Sequence, residues 1–117
     1  MAEKETTAPA RATASRVRIS PTKVRQVLAL IRGKKADEAM TILRFSPQRA
    51  ARVVFKVLQS AIANAEHNYG MDTDKLRVLA AFADQGPVMK RFRPASMGRA
   101  HAYVHRTSHV TVAVAEK

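Results

Sequence analysis

A chain of 117 residues with 21 Lys and Arg against 9 Asp and Glu carries a formal net charge of +12, and so small a cationic body is expected to act on a polyanion. No stretch approaches the roughly 20 apolar residues of a membrane-spanning helix, which argues against membrane insertion, and the absence of cysteine removes disulfides and thiolate metal sites. Hydrophobic residues at 46% suffice for one folded core, whereas aromatics at 5% with no Trp favour phosphate and shape contacts over an extended stacking platform for bases.

Residues 1–10 are small and polar and read as a flexible leader without the apolar segment of a secretory signal, so one domain is expected over 11–117. Arg11 to Ile19 reads as a strand, because Arg16 and Arg18 alternate with Val17 and Ile19 and would point outward. Ser20-Pro21 predicts a helix start, since serine can accept from a free N–H and proline at the first position sacrifices no needed donor. Val24, Val27, Leu28 and Ile31 then form one apolar stripe, with Lys23 at one edge and Arg25 and Arg32 at the other, before Gly33 supplies a stop. After Lys34 and Lys35, the same spacing in Ala36, Ala39, Met40 and Leu43 predicts a second helix. Ser46-Pro47 predicts the start of a third, with a core face of Ala50, Val54, Val57, Leu58, Ala61, Ile62 and Ala65 and an end at Gly70. Arg49, Arg52 and Lys56 gather within about 60° on another face of that helix, equally suited to RNA or to solvent.

Beyond a turn at Met71 to Asp74 the period changes to two. Leu76 to Ala83, bounded by Asp84-Gln85-Gly86-Pro87, and the alternating Val110, Val112 and Val114 predict paired strands. Between them, Val88 to His109 contains no acid but carries Lys90, Arg91, Arg93, Arg99 and Arg106, with Pro94 to Gly98 as a turn. The fold class is therefore α+β: three helices packed on a small antiparallel sheet, with a long protruding β-hairpin over about 86–109. Each hairpin arm would extend roughly 25 to 35 Å at 3.3 Å per residue. An isolated two-stranded ribbon is marginal in water, so RNA phosphates are expected to hold it. Arg16, Arg18, Lys23, Arg25, Arg32, Lys34 and Lys35 are expected to concentrate as a basic patch around one end of the first helix.

Catalytic and metal chemistry find little support. Asp72 and Asp74 suit a turn and cap, with no nucleophile, base or phosphate loop beside them. His101, His105 and His109 fall on a strand, where positions four apart are about 13 Å distant and cannot converge on one ion. His67 near a helix end complements the helix dipole. Neither metal nor cofactor is expected. A free nucleic-acid-binding regulator using the first two helices is the main alternative, but Asp37 and Glu38 stand where base-reading residues would begin the second helix.

Four ordered blocks carry a resemblance. They are Val17 to Arg25 (VRISPTKVR), Leu30 to Lys35 (LIRGKK), Ser60 to Asn68 (SAIANAEHN), and the hairpin pieces Gly86-Pro87, Lys90-Arg91, Pro94, Gly98-Arg99-Ala100 and Arg106-Thr107-Ser108-His109. Over nearly everything after the leader, the chain resembles ribosomal protein twenty-two of the bacterial large subunit. The resemblance implies a non-enzymatic constituent of the cytoplasmic large ribosomal subunit, without homo-oligomers, whose globular part sits near the exit of the polypeptide tunnel. It implies contacts with several domains of 23S-type ribosomal RNA, with neighbouring large-subunit proteins and with the nascent chain, and a role in subunit assembly. It also implies that the hairpin tip, Met89, Lys90, Arg91, Phe92, Arg93, Pro94, Ala95, Ser96, Met97 and Gly98, lines the tunnel near the macrolide region. RNA contact carries over to the Arg16–Lys35 patch named above and to Lys90, Arg91, Arg93, Arg99, Arg106, Thr107, Ser108 and His109. Ala95 stands where family members commonly carry arginine, and His101 and His105 stand in an arm often richer in Lys and Arg, which implies a looser grip at the tip.

Overall fold

The computed structural model describes residues 9–94 and 100–116, and for 89–94 and 100–105 its description is of the backbone. In chain order the elements are β1 (Ala10–Val17), α1 (Pro21–Ile31), α2 (Ala36–Phe45), α3 (Arg49–Tyr69), a 3-10 turn (Thr73–Lys75), β2 (Leu76–Gln85), β3 (Met89–Pro94), β4 (Ala100–His105) and β5 (Ser108–Glu116). β1, β5 and β2 form one antiparallel sheet with β5 central, and β3 and β4 form a second, two-stranded sheet. Residues 1–8 of the expected leader, 1–10, lie outside the described residues. Ala10 is already in β1, fully buried and paired with Val114.

The helical stripes fold as their spacing dictates. Val24, Val27, Leu28 and Ile31 of α1 are each fully buried, a face that stabilises by about 1.5 to 3 kcal/mol per large side chain. α3 buries Ala50, Ala51, Val54, Val57, Leu58, Ala61 and Ala65, with Ile62 half-buried. Its small residues let it approach β1 and β5 closely, while α1 covers β2 and α2 packs against α3. Gly70, at φ 63°, ends α3 in the left-handed region, where a glycine avoids the steric cost of a Cβ.

Three boundaries differ from the sequence-based expectation. α3 begins at Arg49, because the Ser46 hydroxyl donates backward to the carbonyl of Ile42 at 2.7 Å and so finishes α2. β1 ends at Val17, where the chain turns toward α1. β2 runs on to Gln85 and contains a bulge between Val78 and Ala80 that moves its buried side from Leu76 and Val78 to Ala81 and Ala83.

A second bulge lies in β1 between Ala14 and Val17. It holds Arg16 at a φ of 55°, with its N–H donating to His109 Nδ1 at 3.1 Å. The ribbon ladder runs from Met89 opposite His105 to Pro94 opposite Ala100, about 20 Å of paired length. It is shorter than expected because Ser108 already belongs to β5. The molecule measures 72 × 27 × 19 Å and its radius of gyration is 17.8 Å, well above the roughly 13 Å of a compact chain of this size.

Candidate nucleic-acid interface

The base of the ribbon is a tightly bonded knot. Gly86 donates its N–H to the carbonyl of Thr107 at 2.9 Å. A Cβ at Gly86 would sit 2.5 Å from Thr107 Oγ1, so any larger residue would push the two strand ends apart. The Thr107 hydroxyl donates to the carbonyl of Pro87, and the Ser108 hydroxyl donates to that of Ile19. Thr107 and Ser108 are 3% and 0% exposed. Their hydroxyls are thus engaged within the protein, so any contact these two positions make with RNA falls to the backbone or to their neighbours. The two side chains tie the ends of β2 and β5 to the segment before α1. His109 is half-buried, and its Nδ1 is engaged by Arg16.

Around this knot the fold collects cations from distant parts of the chain. Arg18, Lys23, Arg49 and Arg106, with Gln26 and Gln48, line one open cleft of about 580 Å³. Arg106 also borders a hollow with Arg25, and Arg18 another with Arg16. Among the described residues no carboxylate lines any of the three. The starts of two helices open on the same cleft: Ser20 precedes α1 and Gln48 precedes α3, neither bonds a first-turn N–H through its side chain, and neither first turn holds an acid. Free N–H groups and the positive dipole ends thus join four side-chain cations, an arrangement suited to phosphate oxygens. α2 differs, since Asp37 and Glu38 occupy its first turn.

The basic residues of the Arg16–Lys35 segment do not gather at one end of α1. Arg16, Arg18 and Lys23 lie toward its start. Arg32, Lys34 and Lys35 lie at its other end, about 15 Å away at 1.5 Å per residue. Arg25 and Arg32 face the open edge of β2. Arg25 donates through Nε and Nη2 to the carbonyl of Ala83 at 3.2 and 2.8 Å, and Arg32 through Nε to that of Ala81 at 2.8 Å. Farther along, Gly33 donates to the Val78 carbonyl and Val78 to that of Lys34, at 3.0 and 2.9 Å. These bonds satisfy a sheet edge that would otherwise invite another strand. Each guanidinium keeps further N–H groups for an anion, now in a fixed orientation.

Arg49 is the residue whose role the sequence left open between RNA and solvent. The helical wheel puts it with Arg52 and Lys56, but Lys56 stands two turns, about 10 Å, farther along α3. Arg49 therefore faces the ribbon base, while Arg52 and Lys56 line a separate groove against α2. Lys90, Arg91 and Arg93 are on β3, where the ladder sets Arg91 opposite Tyr103 and Arg93 opposite His101. The tip positions Ala95, Ser96, Met97, Gly98 and Arg99 lie outside the described residues. Asp72 caps the 3-10 turn by accepting from the Asp74 N–H at 3.0 Å, the turn role expected for that pair. Among the described residues no three His, Asp or Glu side chains cluster as metal ligands would.

The family model for ribosomal protein L22p/L17e matches residues 12–115. The chain belongs to this family. The large ribosomal subunit protein uL22 of Thermoanaerobacter sp. (strain X514) is 63% identical over 108 residues, covering 92% of this chain and 97% of that one. Those of Desulfitobacterium hafniense (strain Y51) and Clostridium novyi (strain NT) are 58% and 55% identical over the same length, covering 95% and 97% of the relatives. The match spans all three helices, all but the outermost residues of β1 and β5, and every residue of the cleft at the ribbon base.

Proposed function

We propose that the cleft at the ribbon base is this protein's principal grip on ribosomal RNA, and that the ribbon carries the contact inward to line the polypeptide exit tunnel. Membership of the uL22 family makes the chain a structural, non-enzymatic constituent of the large ribosomal subunit, acting in translation in the bacterial cytoplasm. The finer reading rests on one observation: Arg18, Lys23, Arg49 and Arg106 converge with two helix starts on a cleft that no carboxylate among the described residues lines.

Four like charges around one cleft repel one another in the free protein. RNA phosphates reverse that repulsion and release condensed counterions. Such contacts set position rather than sequence, which suits a protein recognising folded RNA by shape. The cations at the far end of α1 (Arg32, Lys34 and Lys35) and those of the ribbon (Lys90, Arg91, Arg93 and Arg99) supply separate contacts. A protein so equipped can bridge several RNA domains during assembly. The tip, Met89 to Gly98, is assigned to the tunnel wall, beside the nascent polypeptide and neighbouring ribosomal proteins.

The test is the salt dependence of binding to large-subunit RNA. Replacing Arg18, Arg49 and Arg106 by Ala together should reduce the slope of log K against log salt by about 2 to 3, at roughly 0.7 to 0.9 per phosphate contact. Lys75→Ala, in the turn at the opposite end of β2, should leave the slope nearly unchanged. Equal per-charge effects at both places would mean diffuse attraction and no built cleft.

A further inference from the structure

Among the described residues Arg16 alone, apart from glycines, has a positive φ, at 55°. The left-handed region crowds an L side chain, so such a residue persists where its surroundings fix it. Arg16 lies in the β1 bulge: between the pairs Ala14–Val110 and Val17–Ser108, Ser15 and Arg16 of β1 stand against the single residue His109 of β5. In a regular ladder a strand N–H donates to a backbone carbonyl, but here the Arg16 N–H donates to His109 Nδ1, at 3.1 Å.

The imidazole thus stands between two strands. On the β1 side its Nδ1 takes the Arg16 amide, and on the β2 side its other edge faces Gly86, where a Cβ would lie 3.4 Å from both Cε1 and Nε2. The bulge leads on to Arg18, and Arg16 and Arg18 border a hollow with Pro87 and Thr107 at the ribbon base. The ring therefore sits where it can fix how the β1 arginines meet the end of β2.

An acceptor nitrogen carries no proton. Nδ1 can take the Arg16 N–H only in the neutral ring with its proton on Nε2, because the imidazolium has a donor at both nitrogens. Protonation would set N–H against N–H at the bulge and leave the left-handed residue without its tie. Among the described residues the charged groups facing the ring are Asp84, opposite His109 on β2, and Arg16 and Arg18 on the β1 side. Charges of both signs surround it, so the demand for the neutral ring comes from the hydrogen bond and not from the local field.

We propose that His109 is a proton-sensitive latch: its neutral ring holds the β1 bulge, and with it Arg16 and Arg18, against the ribbon base, and uptake of a proton releases them. The latch belongs to the free fold and needs no RNA.

The experiment follows the isotope-labelled full chain by NMR from about pH 8 to about pH 5, the range over which histidines commonly change charge. At the upper end the ring nitrogen shifts should show Nδ1 unprotonated and Nε2 protonated, and the Arg16 carbon shifts should be those of a left-handed residue. As the ring takes up its proton, the Arg16 and Arg18 signals should move with the same midpoint. His109→Asn, whose amide oxygen can stand near the place of Nδ1 and does not titrate, should keep the left-handed Arg16 signals across the whole range. His109→Leu, which has no acceptor, should show at about pH 8 the Arg16 signals that the parent reaches at about pH 5. The proposal is overturned if Nδ1 carries the proton in the neutral ring, if the ring titrates while Arg16 does not move, or if the ring stays neutral throughout. A pH response of Arg16 that persists in His109→Asn also overturns it, and assigns the response to Asp84 or to another histidine. No readout involves RNA, so the latch and the cleft, tested by its salt slope, stand or fall separately.

Discussion

The helix-covered sheet and the β3–β4 ribbon are built on opposite principles. In the first, side chains such as Leu28, Leu58, Val112 and Val114 are withdrawn fully from water, and the bulges in β1 and β2 adjust which side of each strand is buried. The second is a two-stranded ladder outside that sheet, with Lys90, Arg91 and Arg93 on β3 and no acid on either strand. An isolated pair of strands has little of its own to offset the entropy of ordering. Stability in one region comes from the chain, and in the other it is assigned to the RNA.

The sharpest way to break this division is to damage each side separately. Leu58→Ala, in a fully buried position of α3, should destabilise the free protein by about 2 to 5 kcal/mol in denaturant unfolding. Gly86→Ala attacks the junction between the regions. A Cβ 2.5 Å from Thr107 Oγ1, which is itself bonded to Pro87, should cost about 1 to 3 kcal/mol in the same assay and splay the ribbon base. Replacing Met89 to Gly98 by a short Gly-containing turn should leave free-protein unfolding nearly unchanged. In ribosomes confirmed to contain the shortened protein, macrolide sensitivity or nascent-chain pausing should shift. Arg91→Ala should have the smallest effect on folding, within about 0.5 kcal/mol, while still weakening association with large-subunit RNA.

Much of the fold could be read from periodicity. The α1 and α3 stripes keep a single spacing, and their buried faces emerge nearly residue for residue. The β2 bulge could not be read, because Val78-Leu79-Ala80-Ala81 is apolar at both parities and nothing in it marks where the buried side changes. Ser46-Pro47 resembles a helix start, but the serine bonds backward to Ile42, a choice between two local partners that composition does not decide. The structural role of Ser108 could not be read either, because the topology brings the carbonyl of Ile19 beside it across 89 residues. Arg49 shows the limit of a helical wheel. The angle was correct, but which neighbour each basic residue faces depends on its height along the helix and on where β1 and α1 are joined.

The division between a self-sufficient core and an RNA-held ribbon is tested most directly by amide hydrogen exchange, comparing the free protein with the protein in assembled large subunits. Core amides of α3 and β5 should be protected in both states. Amides in the β3–β4 ladder, from Met89 to Pro94 and from Ala100 to His105, should exchange rapidly in the free protein and slow by orders of magnitude in the subunit. Ladder amides already protected in the free protein as strongly as those of β5 would show that the ribbon holds itself, contradicting the account.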